Sequence, residues 1–312
     1  MSAFAKAAVI DIGSNSIKIL VAQRGADGRL SALKLKTMDA RISAGISRKN
    51  PQLSDAGIER GVEAVRELLA DAREFAPEHI VLVATSAVRD ASNGHVFTDR
   101  IQNLLGHRVR ILTGDEEANY IGRGLTCDPA LHELRDFYVF DLGGGSLECL
   151  SFRDRKIIQA ISLPLGCVRL TERCVKDASA SFSKADREAI SVHTRTALTT
   201  SGFRFDLPPH ATAVGTGGTL TTARAVLAGL RGQPFEQSDT LLPVADLREL
   251  FDRVAAVNLD DRRKLPAMPY GRADVFPTAL ATVMTLAEIG SFTAYRNSIY
   301  NLRWGMAAEA LA

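Results

Sequence analysis

Short apolar runs alternate with helix-spaced stripes along this chain. The runs AAVI before Asp11 and FYVF before Asp141 each lead into a Gly/Ser/Asn-rich turn and then a second β-prone run, which predicts strand, tight turn, strand. LSALKLKTM, residues 30–38, reads as a further strand. Behind the N-cap candidate Ser54, the residues Ile58, Val62, Val65, Leu68, Leu69, Ala72 and Phe75 recur at helical spacing, so 55–76 reads as an amphipathic helix ended by Pro77. HIVLVATSA, 79–87, reads as a buried strand, Asn93-Gly94 as a turn, and VRIL, 109–112, as a short strand. A helix then opens on Asp115, Glu116 and Glu117, whose charges suit its positive end. In the second half, 156–164 reads as a strand and 165–171 leads into a helix. Further helices are expected at 184–201, 246–257, 277–289 and 299–311. Residues 211–227 read as strand, Gly-Thr loop, helix.

The two turns match each other. DIGSNSIKIL, residues 11–20, and DLGGGSLECL, residues 141–150, align with Asp11 on Asp141, Gly13 on Gly143, Ser16 on Ser146 and Leu20 on Leu150. One such turn is an ordinary hairpin; two matching copies about 130 residues apart point to a duplicated domain. Successive N–H groups in such a turn form an anion-binding concavity, here Ser14 and Asn15 in one copy and Gly143, Gly144, Gly145 and Ser146 in the other. The aspartate at each strand end, Asp11 and Asp141, can hold a metal ion or a metal-bound water. Arg89 sits just past the carboxyl end of its strand, where open α/β sheets place ligands. GTGGT, with Gly215, Gly217, Gly218 and Thr219, opens a helix and is a third anion site, in the place that VATSAVRD holds in the first half.

At 312 residues, 46% hydrophobic and 24% charged, the composition is that of a globular protein with room for two domains. A net charge of +2 gives no global footprint for nucleic acid, so any attraction for anions is local. The four cysteines have no zinc-ligand spacing and read as buried thiols of a reducing compartment. The N-terminus lacks an apolar signal core, and Val275 to Ala287 is too short to span a bilayer, so a cytoplasmic location without membrane contact is expected.

DIGSNSIK, ATSAVRDASN, TGDEEA, DLGGGSLE, LGCVRLTE and GTGGT, in this order, resemble the exopolyphosphatase / guanosine pentaphosphate phosphatase family, in its short two-domain form. That resemblance implies an α/β fold of two duplicated ribonuclease H-like domains of the actin–sugar kinase–Hsp70 superfamily, with a cleft between them. The expected halves are 1–124 plus 300–312, and 125–299. It further implies that Glu117 is the catalytic glutamate, that Asp141 and Glu148 are magnesium-associated, that Arg89 and the three loops bind phosphate, and that magnesium or manganese is the cofactor. A homodimer is an assembly it allows. Two motifs depart from the family: Arg303-Trp304-Gly305 where Arg-Glu-Gly is usual, and Pro277-Thr278 where Pro-Gly is usual.

The expected activity is metal-assisted release of orthophosphate from the end of inorganic polyphosphate, with Glu117 activating water and the loops gripping phosphates. The alternatives are guanosine pentaphosphate as substrate, a kinase of the same superfamily, or a catalytically weak alarmone- or nucleotide-binding regulator. Arg41, Arg48, Lys49, Arg89, Arg169, Arg272 and Arg303 are basic candidates for a polyanion. A guanine site would need a stacking aromatic. Trp304 is the candidate the sequence offers for one.

Overall fold

The computed structural model describes residues 4–209 and 211–312. Its chain divides into two compact units, Met1–Glu133 with Tyr300–Ala312, and Leu134–Ile299. Residues 125–133, expected in the second half, therefore belong to the first. The helix that carries Glu117 runs on to Thr126, and Leu131 beyond it is buried.

The first unit contains β1 (Lys6–Ile12), β2 (Ile17–Arg24), β3 (Leu30–Met38), α1 (Asp55–Arg73), β4 (His79–Ala84), α2 (Ser86–Arg89), α3 (Gly94–Leu105), β5 (Val109–Ile111) and α4 (Gly114–Thr126). Its sheet runs in the order β3-β2-β1-β4-β5. The first three strands are antiparallel and the last two parallel to β1. Ser54 caps α1 through its side chain, as its position predicts, and nine residues of the helix are buried. Each buried Val, Leu or Ile among them contributes about 1.5–3 kcal/mol.

The second unit contains β6 (Phe137–Leu142), β7 (Leu147–Arg153), β8 (Lys156–Leu163), α5 (Cys167–Cys174), α6 (Lys184–Ser201), β9 (Thr212–Thr216), α7 (Gly217–Leu230), β10 (Leu241–Pro243), α8 (Val244–Ala255), α9 (Leu259–Arg263), α10 (Phe276–Gly290) and β11 (Ala294–Asn297). Its sheet order, β10-β11-β9-β6-β7-β8, repeats the first when read from the other end, with β10 added. This is the ribonuclease H-like arrangement, and the repetition reaches single residues. β1 meets β2 at Ile12↔Ile17, and β6 meets β7 at Leu142↔Leu147. The outer strand of each copy shifts register at the matching place, Val21/Ala22 and Ser151/Phe152. An aromatic cluster of Tyr138, Phe140, Phe203, Phe205, Phe292 and Tyr295 fills part of this unit, and Tyr138 Oη accepts from the Leu207 amide at 2.7 Å. α10 is buried on nearly every side, and its hydroxyls are satisfied internally: Thr282 and Thr285 donate to carbonyls one turn back.

Some elements differ from expectation. The strand expected over 79–87 ends at Ala84, and Ser86–Arg89 winds into the short helix α2. α1 stops at Arg73, and Ala76 takes φ 47° before Pro77. The Asn93-Gly94 turn is the start of α3: Asn93 braces Leu53 with two hydrogen bonds of 2.8 Å. A Cβ on Gly94 would lie 2.2 Å from the Val88 carbonyl oxygen, so glycine is required there by close approach. The last helix, α11 (Leu302–Ala310), returns to the first unit and packs on α4, β1 and β2.

The α4–α11 crossing has no room for side chains. A Cβ on Gly305 would lie 2.1 Å from the Tyr120 carbonyl oxygen, and one on Gly124 would lie 2.0 Å from that of Asn301. Further along, Glu309 accepts from Tyr120 Oη at 2.7 Å and Arg123 at 2.8 Å. Gly305→Ala is expected to cost about 1–3 kcal/mol, the usual penalty for overpacking. Urea denaturation measures it, and an unchanged midpoint would show that the two helices part freely.

Candidate active site

In the first unit the turn after β1 is closed by the Gly13 amide donating to the Ser16 carbonyl at 3.2 Å. The carbonyls of Ser14 and Asn15 accept from the amides of Ser43 (3.3 Å) and Arg41 (2.9 Å). In the second unit the Gly143 amide donates to the Ser146 carbonyl at 3.0 Å. The Gly143 and Gly144 carbonyls accept from the amides of Cys167 and Val168, both at 2.9 Å, and Gly145's accepts from Arg169 Nε at 2.9 Å. Both copies are thus built alike: the segment behind the turn takes up its carbonyls. Among the described residues, the amides of Ser14, Ser16, Gly144, Gly145 and Ser146 have no protein acceptor. Such donors are what an anion cradle consists of. Gly166 backs the second turn so closely that a Cβ would lie 2.2 Å from the Gly145 nitrogen.

Arg89 and Glu117 meet in the first unit. Arg89 Nη1 donates to Glu117 Oε2 at 2.8 Å and to the Leu112 carbonyl at 3.1 Å. Arg89 Nε lies 3.5 Å from the Asp90 carboxylate. The chain is shaped for this. Ser86, the first residue of α2, shares a hydrogen bond of 3.1 Å with Ser14, and the Thr85 amide donates to the Ile12 carbonyl at 3.2 Å. Arg89, one turn along α2, is thereby tied to the turn after β1. Glu117 sits in the first turn of α4, which Thr113 and Glu116 close with a capping box. Glu116 also pairs with Arg110 and serves the helix end.

In the second unit Asp141 stands directly opposite Glu148 across the β6–β7 pair, so both carboxylates share one face of the sheet. Glu148 is buried and accepts from Ser162 Oγ at 2.8 Å. Gly217 has φ 76°, and a Cβ on it would lie 1.9 Å from Asp141 Oδ1. The glycine thus leaves space for the carboxylate at the start of α7. The Thr219 hydroxyl donates to the Leu142 carbonyl at 2.9 Å and fastens α7 to β6, so its side chain serves packing. A Cβ on Gly218 would lie 2.1 Å from Arg272 Nη2, which places that guanidinium over the helix start.

Among the described residues no group of three or more His, Cys, Asp or Glu is placed to hold a metal ion. The Asp141–Glu148 pair still suits magnesium, which commonly takes one or two protein carboxylates and completes its shell with water and substrate phosphates. Asp11, in the first unit, has Oδ1 buried without a partner. Burial pushes its carboxyl above the usual carboxylate range, against a smaller opposing pull from Lys18 and Arg303.

Two sequence candidates lie elsewhere than expected. Trp304 is 2% exposed and packs on Tyr300, with ring centroids 4.1 Å apart, so it is not a stacking platform for a base. Arg303 is buried and donates to the Ile19 carbonyl at 2.9 Å. Sequence reasoning missed Ser86 and Ser162, whose partners are remote in the chain, and Tyr270. That ring is 68% exposed, two residues before Arg272, with the Arg263 guanidinium 4.0 Å from its centre. No helix is long and apolar enough to cross a membrane among the described residues.

A folded carboxyl that holds its proton more tightly than the unfolded one adds stability below the ordinary carboxylate pKa, and that stability is lost as pH rises through the raised value. Asp11→Asn is therefore expected to melt higher than wild type in chelator, with a larger gain at neutral pH than under mild acid. Thermal melts at both pH values test this, and a variant less stable at neutral pH would contradict it.

Comparison with known proteins places the architecture. The model of the Ppx/GppA phosphatase family matches residues 20–312. Exopolyphosphatase 2 of Mycobacterium tuberculosis is 31% identical over 305 residues, covering 92% of this chain and 91% of that protein. The solved structure of the Aquifex aeolicus PPX-GPPA enzyme superimposes with a TM-score of 0.78 at 25% identity, covering 98% of this chain and 100% of that one. An exopolyphosphatase from Cytophaga hutchinsonii superimposes with a TM-score of 0.86 at 24% identity, covering 98% and 97%, a likeness of fold.

Proposed function

Since the chain belongs to the Ppx/GppA phosphatase family and is a phosphoanhydride hydrolase, we propose that it removes orthophosphate from the end of inorganic polyphosphate. The observation that carries this choice is the repeated turn: among the described residues the amides of Ser14 and Ser16 in one copy, and of Gly144, Gly145 and Ser146 in the other, have no protein acceptor, and the carbonyls are tied back in both. A chain of identical phosphates is the ligand that repeated anion cradles suit. The basic side chains at these places, Arg89 beside the first turn and Arg272 over the start of α7, support the same preference.

In this reading Glu117 orients the attacking water and accepts its proton as the water oxygen bonds to the terminal phosphorus. The bridging P–O bond breaks, and the shortened chain leaves with the electron pair. Arg89 and the turn after β1 are the proposed phosphate groups of the first unit, and the Gly143–Ser146 turn and the start of α7 those of the second. Magnesium or manganese, when bound, would neutralise charge on the phosphates. In the second unit Asp141 and Glu148 are the carboxylates proposed to hold it; Asp11 is the proposed metal-associated carboxylate of the first unit, at the matching strand end.

A second reading has one observation in its favour. Tyr270, exposed next to Arg272, is a ring on which a guanine could stack, which would suit guanosine pentaphosphate. Phosphate release from long polyphosphate, tripolyphosphate, guanosine pentaphosphate and ATP separates the two. A higher kcat/KM for polyphosphate is expected, unchanged in Tyr270→Ala. A preference for guanosine pentaphosphate that Tyr270→Ala abolishes would reverse the choice. Glu117→Gln should lower kcat by about 10²–10⁴-fold without weakening substrate binding, the range for losing a general base. Near-normal kcat would remove Glu117 from the mechanism.

A further inference from the structure

Two groups that the proposed reaction uses for different tasks are bonded to each other. The Glu117 carboxylate is 9% exposed and the Arg89 side chain 22% exposed, with 2.8 Å between Oε2 and Nη1. While Nη1 serves Glu117 and the Leu112 carbonyl, it is turned toward α4. Nε stays close to Asp90, whose carboxylate is 3.5 Å away and 30% exposed, so the guanidinium keeps an anchor if Nη1 moves. Ser86 ties the same short helix to Ser14 in the anion turn. A doubly or triply charged phosphate end arriving at that turn competes with a single carboxylate for the same cation, and guanidinium pairs with phosphate by a planar fork.

We infer that Arg89 is also the positioning residue for Glu117: it holds the carboxylate in the free enzyme and is handed to the terminal phosphate when substrate binds. The inference rests on the reading of Glu117 as the base. In the free enzyme the cation keeps the carboxylate ionised and oriented. When substrate draws the guanidinium away, the carboxylate becomes a stronger proton acceptor just as a water must be deprotonated. Without substrate the base is engaged and the site is idle.

Most of the other charged groups on α4 and on the elements packed against it have partners of their own. On α4, Glu116 is paired with Arg110 of β5, and Arg123 with Glu309 of α11. Asp115 shares the first turn of α4. On α11, Arg303 donates to the Ile19 carbonyl. In the turn after α4, Asp128 accepts from the Ala130 amide.

The test is the pH dependence of kcat/KM, which reports groups of the free enzyme, and of kcat, which reports the enzyme–substrate complex. Both are measured for polyphosphate hydrolysis by wild type, Arg89→Gln and Arg89→Lys. Titration of the phosphates themselves is common to all three and cancels in the comparison. With handover, Arg89→Gln moves the acid limb of kcat/KM upward by at least about one pH unit, the size expected when a carboxylate loses a neighbouring cation. The acid limb of kcat moves much less, because the cation has already left Glu117 in the complex. Arg89→Lys, which restores the charge without the fork, returns the kcat/KM limb toward wild type while KM stays raised. Equal shifts of both limbs would mean that Arg89 stays on Glu117 throughout, and the handover is wrong. No shift in either limb would mean that the pair has no influence on the base, and the positioning role is wrong as well. Wild type that releases no phosphate from polyphosphate at any pH would overturn the underlying reading instead.

Discussion

A turn that presents amides to an anion has to dispose of its own carbonyl oxygens, which would otherwise repel that anion. This constraint organises both halves of the molecule. In the first unit the amides of Arg41 and Ser43 take up those carbonyls, and Arg41 adopts φ 41° at this point. Positive φ is uncommon for a residue with a side chain and costs free energy that the surrounding contacts must offset. Ile42 and Ile46, both buried, and Arg60, which donates to the Ala40 and Arg41 carbonyls, hold the segment there. In the second unit the start of α5 does the same work, and Gly166 makes the close approach possible. Different sequences behind the two turns therefore reach one hydrogen-bonding solution.

The same economy appears at the two places where the chain differs from what the resemblance leads one to expect. Trp304 and Thr278, at the places where the resemblance leads one to expect Glu and Gly, are each buried in their own unit. Trp304 covers Tyr300 but leaves Nε1 buried without a partner, at a cost of about 1–3 kcal/mol. Thr278 is fully buried, and its hydroxyl shares a hydrogen bond of 2.7 Å with Thr171, joining α10 to α5. α5 is the helix whose first amides fasten the Gly143–Ser146 turn. Thr278, in the core of the second unit, is thereby connected to the Gly143–Ser146 turn through one hydrogen bond and α5. The neighbouring Gly305 keeps the α4–α11 crossing close, and α4 carries Glu117.

What the sequence by itself determined is what depends on neighbours in the chain. The hairpin turns follow from Gly and Ser spacing, β3 falls at 30–38 and α6 at 184–201 as read, and Ser54 caps α1. The duplication was legible because it is written twice in matching residues, and the six ordered motifs carried the family. α3 was not legible, because Asn93-Gly94 has the composition of a turn, while its actual cause is contact with Val88 and Leu53. The first two residues of the short helix α2 fall within the expected strand 79–87, because Thr85 and Ser86 between Ala84 and Ala87 carry no breaker signal.

Only the tertiary structure decided which side chains meet. Arg89 and Glu117 are joined through separate elements, so no local pattern records their 2.8 Å contact. The Ser14–Ser86 and Glu148–Ser162 bonds likewise link residues whose types carry no signal of partnership. Burial is equally non-local: Trp304 and Arg303 look available in sequence and are enclosed, whereas Tyr270 looks unremarkable and is exposed. Backbone turns and helix caps are set by torsion and by hydrogen bonds within a few residues, so sequence reads them. Ion pairs and exposure are set by what distant elements bring to the same place, and only the folded chain contains that information.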